Sequence, residues 1–85
     1  MTQFDKLLLK FKSIPVDFSW NDLKKLLEGF GFIEMQNSKT GGSRRKFWNR
    51  DKNIIINLHK PHPSPNLKEY AIKQILGKLK EEELI

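Results

Sequence analysis

Three of the four prolines in this 85-residue chain fall within five residues, at Pro61, Pro63 and Pro65. Each removes a backbone donor and fixes φ, so His59-Lys60-Pro61-His62-Pro63-Ser64-Pro65 can be neither helix nor inner strand. It reads as a stiff ordered loop between a strand-patterned middle and a helical end. Beyond it, Ser64 is placed as an N-cap and Pro65 at the first helical position, where a missing N–H costs nothing. The helix is expected to run to about Glu82, with Leu67, Tyr70, Ala71, Ile75 and Leu79 on one side and Ile72 and Leu76 widening it. Glu69 and Lys73 form an i, i+4 pair on the wet side.

Two helical patterns open the chain. Phe4, Leu7, Leu8 and Phe11 have the i, i+3, i+4, i+7 spacing of an amphipathic helix over Phe4 to Lys12, ended by Ile14-Pro15. Ser19 and Asp22 form a capping-box signature ahead of Leu23, Leu26, Leu27 and Phe30, and Gly29 and Gly31 are read as the stop. Phe32 to Gln36, Arg44 to Arg50 and Asn53 to His59 then read as three strands, with Asn37 to Gly42 a loop and Asp51-Lys52 a short turn. In the third strand a period of two puts Ile54, Ile56 and Leu58 on one face and Asn53, Ile55, Asn57 and His59 on the other.

The expected fold is α+β: helix, helix, a three-stranded antiparallel meander, helix. It forms one domain, 1–85, with a core at about 19–80 and a helical extension at 1–15. A chain this short buries only about 60–65% of its unfolded surface, so there is no room for a second domain. Helices can cover only one sheet face. With Phe47 turned inward, Arg44, Lys46, Trp48 and Arg50 share the open face with Asn57 and His59.

The charge is concentrated on that part of the chain. Between Lys39 and Lys60 stand seven basic residues and one acid, Asp51, and the remainder has nine of each sign, so this stretch carries the whole formal net charge of +6. A localised basic stretch holding an aromatic and an imidazole points to a polyanion partner, and a basic sheet face fits RNA better than duplex DNA, since no helix here is basic along one side. There is no cysteine, which excludes a disulfide framework, a thiolate zinc site and a cysteine nucleophile. Two histidines and scattered carboxylates give no metal-ligand spacing, and no nucleotide-binding glycine motif is present, so no metal or cofactor is expected. The opening residues are read as neither signal peptide nor membrane span, which makes a cytoplasmic location the expectation.

Gly42-Ser43-Arg44-Arg45-Lys46-Phe47, His59-Lys60-Pro61-His62-Pro63, and Leu67-Lys68 with Tyr70 resemble the HicA family of type II toxin–antitoxin systems over roughly Ser19 to Leu79. The resemblance implies a double-stranded-RNA-binding-domain-like fold and an mRNA interferase, a metal-independent endoribonuclease neutralised by a HicB-like antitoxin. Many members carry Gly-Ser-His at the start of the second strand, that histidine being the proposed catalytic residue. Here the position is Arg44, as in a branch with Gly-Ser-Arg and His-x-Pro-His-Pro.

Cleavage through the neighbouring 2′-OH needs a base, cationic donors on the phosphate and an acid for the leaving 5′-oxygen. Imidazole, which ordinarily titrates at about pH 6.5, suits the proton-transfer roles, and a guanidinium does not. His59 and His62 are therefore the catalytic candidates: His59 as base or acid, His62 as its partner or as a residue that orients RNA. Ser43, Arg44, Lys46, Trp48, Arg50 and Lys60 are the RNA-binding candidates. Ser43 is equally a turn residue, and Trp48 either stacks on a base or meets the antitoxin. Two rivals stand beside the nuclease: a non-catalytic RNA-binding module of the same fold, and a protein-binding partner whose basic sheet meets an acidic one.

Overall fold

The structure is a computed structural model that describes residues 2–35, 44–61 and 64–85. Helix α1 spans Gln3–Lys12 and starts at a capping box: the Asp5 N–H donates to the Thr2 hydroxyl at 3.1 Å and the Thr2 N–H to the Asp5 carboxylate at 3.2 Å. It is capped by Ser13, after which Ile14 lies at φ 53°, a region β-branched residues seldom enter. The Ile14 N–H donates to the Phe11 carbonyl at 3.0 Å and its side chain packs on the core, which offsets the strain.

Helix α2 spans Trp20–Gly29 and has the expected box, with Asp22 N–H to Ser19 Oγ at 3.1 Å and Ser19 N–H to the Asp22 carboxylate at 3.3 Å. The two glycines near its end do different jobs. Gly31, at φ 96°, supplies the left-handed residue beyond the C-cap Phe30. Gly29, expected as part of that stop, is instead helical, and the Phe4 ring lies so close that a methyl there would collide with it. Phe4 in turn meets Phe30 edge-on, with ring centroids 5.1 Å apart.

The sheet follows as expected: β1 (Phe32–Met35), β2 (Arg44–Asn49) and β3 (Ile54–His59), antiparallel in the order β1-β2-β3. Asn53, expected in the third strand, belongs to the turn before it and lies at φ 53°, where asparagine is readily accommodated. Phe32, Phe47, Ile54 and Ile56 are buried on the inner face, with Leu58 half-buried. Trp20 packs over Phe47 at 5.7 Å. Asn49 shares this face and is 3% exposed. Its Nδ2 donates to the Phe30 carbonyl at 3.0 Å and its Oδ1 accepts from the Lys52 N–H at 3.1 Å, tying the end of α2 to the β2–β3 turn.

Helix α3 spans Glu69–Glu81, so it starts later than the expected cap at Ser64-Pro65. The Trp20 N–H takes the Pro65 carbonyl and the Leu67 N–H donates to the Phe18 carbonyl, both at 2.8 Å, which holds Pro65 to Leu67 extended against the entry to α2. Ser64 Oγ accepts from the Asn66 N–H at 3.2 Å instead of capping a helix. Leu67, Ile72, Ile75, Leu76 and Leu79 are buried, whereas Tyr70, expected among them, is 63% exposed. Glu69 and Lys73 pair at 3.2 Å as expected. At the far end the Glu83 N–H bonds the Lys80 carbonyl and the Leu84 N–H the Leu79 carbonyl, a Schellman closure with Glu83 at φ 59°.

All three helices lie on the inner side and share one core. Phe11 of α1 is completely buried and meets Phe18 at 5.0 Å. Among the described residues no helix is long and apolar enough to cross a membrane.

Candidate nucleic-acid interface

The open sheet face is built by strand alternation and register. Arg44, Lys46 and Trp48 project outward from β2 between the inward Arg45, Phe47 and Asn49. Pairing brings Arg44 opposite His59, Lys46 between Met35 and Asn57, and Trp48 between Ile33 and Ile55. Directly opposed side chains have Cβ atoms about 4.5–5.5 Å apart, so each row is a set of touching neighbours. The face therefore has a cationic end, Arg44-His59 and Lys46-Asn57, and an apolar end, Ile33-Trp48-Ile55.

Arg44, Lys46, Asn57 and His59 are exposed, and Trp48 is half-buried. Among the described residues no acid forms an ion pair with Arg44, Lys46 or His59. Arg45 is different. It turns toward the helix side, where Glu34 takes its Nε at 3.3 Å and Lys24 Nζ at 3.5 Å. One charge of the Arg44-Arg45-Lys46 run is thus engaged internally, and the other two remain on the open face. A hollow of ≈ 450 Å³ lies at the end of the β2–β3 pair, where Arg44, Lys46, Asn57 and His59 of the open face meet Arg45 and Leu58 of the inner one. Its guanidinium and ammonium groups suit a phosphate, and its imidazole is the group able to move a proton there.

Of the other sequence candidates, Arg50 is exposed in the turn after β2, about 20 Å along the strand from Arg44. It does not line the hollow. Lys60 follows His59 and is exposed in a second hollow with Tyr70. Ser43 and His62 lie outside the described residues. Among the described residues no three His, Asp or Glu side chains gather as a metal-ligand group.

Of the exposed apolar row, the sequence reading put Trp48 and Ile55 on the open face but not Ile33 or Met35. Ile33 is 55% and Ile55 46% exposed, with Met35 beside them. Phe32-Ile33-Glu34-Met35 has three apolar residues in four, so alternation alone does not say which side chains face out. The register with Trp48 does.

The family model for the HicA toxin of bacterial toxin–antitoxin systems matches residues 20–81, from the start of α2 to the end of α3. Neither the search of curated proteins nor that of solved structures found a match. The chain belongs to the HicA toxin family.

Proposed function

We propose that the chain is the ribonuclease toxin of its toxin–antitoxin pair: it cleaves mRNA without a metal at the cationic end of the open sheet face, in the cytoplasm, and is neutralised by a HicB-like antitoxin. The observation that carries this reading is the Arg44-His59 cross-strand pair, exposed, free of acidic partners among the described residues, and joined by Lys46 in one hollow. A phosphodiester seated there receives two parallel hydrogen bonds from Arg44 and a point charge from Lys46. His59 takes the proton of the 2′-OH, the 2′-oxygen bonds to phosphorus, and the bond from phosphorus to the 5′-oxygen breaks. A 2′,3′-cyclic phosphate and a free 5′-OH result once an acid protonates the leaving oxygen. His62 is the other imidazole of the sequence and our candidate for that acid, with Ser43 and Lys60 as further phosphate contacts and Arg50 as a distant one.

A partner that neutralises this face would set acidic side chains over Arg44 and His59 and apolar ones over Ile33, Trp48 and Ile55. Trp48 then serves both occupants, stacking on a base or anchoring the antitoxin.

One observation favours the non-catalytic RNA-binding module. The strand position facing His59 carries a guanidinium, which holds a phosphate but does not take its neighbour's proton. Incubation of the protein in EDTA with end-labelled single-stranded RNA, beside folded His59→Ala and His62→Ala variants, decides between them. Cleavage that His59→Ala abolishes supports the nuclease. RNA bound but left intact by all three proteins overturns it in favour of the binding module.

A further inference from the structure

We propose that the second hollow beside His59 is a nucleotide subsite, taking the base and phosphate next to the phosphodiester held by Arg44; this rests on the RNA-cleaving reading above. His59 lines both hollows and is the one described residue they share. The second, of ≈ 470 Å³, falls in the size range of small-molecule sites. Its described lining includes Lys60, Lys68 and the His59 imidazole and no acid; the neighbouring Glu69 pairs with Lys73 at 3.2 Å.

Tyr70 supplies the aromatic surface. It sits in the first turn of α3, at a spacing that would suit the core, yet it is 63% exposed, and no ring contact among the described residues includes it. The buried Leu67 and the exposed Val16 are among its apolar lining. An aromatic plane, two lysines and apolar sides are what a single-stranded nucleotide asks of a protein: stacking for the base and cations for the phosphate. Val16 lies ahead of the stretch that the family model matches, so the N-terminal segment contributes to this subsite.

The test uses the full chain, labelled with nitrogen-15, and a single-stranded hexanucleotide bearing 2′-O-methyl groups, which lacks the attacking hydroxyl. Amide shifts at Arg44 to Lys46 and His59 together with shifts at Val16 and Lys68 to Ala71 are expected. Tyr70→Ala should weaken binding roughly tenfold or more, and Tyr70→Phe should stay within about twofold, because stacking needs the ring and not the hydroxyl. Shifts confined to the sheet face, with unchanged affinity for Tyr70→Ala, overturn the subsite and leave the RNA reading standing. Absence of shifts at every position overturns both.

Discussion

Arg44 and His59 are direct cross-strand partners at the open end of β2 and β3. Their adjacency puts a permanent cation next to a group that can exchange a proton, a pairing neither strand would make alone. If Arg44 contacts phosphate, Arg44→Ala should weaken RNA binding evenly across sequences and lower the slope of log affinity against log salt by about one. Fluorescence anisotropy over a salt series measures this, and an unchanged slope would remove Arg44 from the RNA contacts.

The apolar row predicts a different loss. Ile33 and Ile55 flank Trp48 on the exposed face, away from His59. Ile33→Glu with Ile55→Glu should weaken antitoxin binding by at least about 2 kcal/mol, in the range of central interface anchors, by isothermal titration. Full-strength binding by the double variant would move the antitoxin to another surface.

Among the described residues Asn49 is the buried polar one, and it has two backbone partners. Asn49→Leu leaves the Phe30 carbonyl and the Lys52 N–H without it, at a cost of about 1–3 kcal/mol for each group left unsatisfied. Urea denaturation should show a lower midpoint, and a variant as stable as the parent would mean that both groups find other partners.

Phe11 is completely buried although α1 lies ahead of the family match. Phe11→Ala should destabilise the fold by about 3–5 kcal/mol, a large part of the stability of a small domain. Chemical denaturation measures this too, and a loss under about 1 kcal/mol would demote α1 to a loosely attached arm.

The last prediction is a gain. Glu83 closes α3 in a left-handed conformation that costs a side chain roughly 1–2 kcal/mol and glycine almost nothing. Glu83→Gly should raise the melting temperature by several degrees, at about 4–8 °C per kcal/mol for a chain of this size. An unchanged or lower value in a thermal scan would count against it.

What was legible in the sequence was what local chemistry decides. Ser19 and Asp22 announce their capping box, Gly31 ends α2, and alternation along Arg44 to Asn49 separates an inward Phe47 from an outward Lys46. What was not legible depends on residues distant in sequence. Ser64-Pro65 reads as a helix start, but the Trp20 N–H claims the Pro65 carbonyl and the helix begins at Glu69. Tyr70 has core spacing, yet it is exposed between the buried Leu67 and Ile72. Asn49 looks like one more polar strand residue until Phe30 and Lys52 come within reach of its amide. The facing of Ile33 needed the β1–β2 register, and Ser43 and His62 were legible only as candidates.

Phe4 and Gly29 also act as a lock between α1 and α2. The Phe4 ring lies where a methyl at position 29 would be, so a larger residue at 29 expels the ring, and loss of the ring leaves a weak helix former over an empty groove. The two positions are therefore energetically coupled: a substitution at one is felt at the other, and their effects on stability do not simply add.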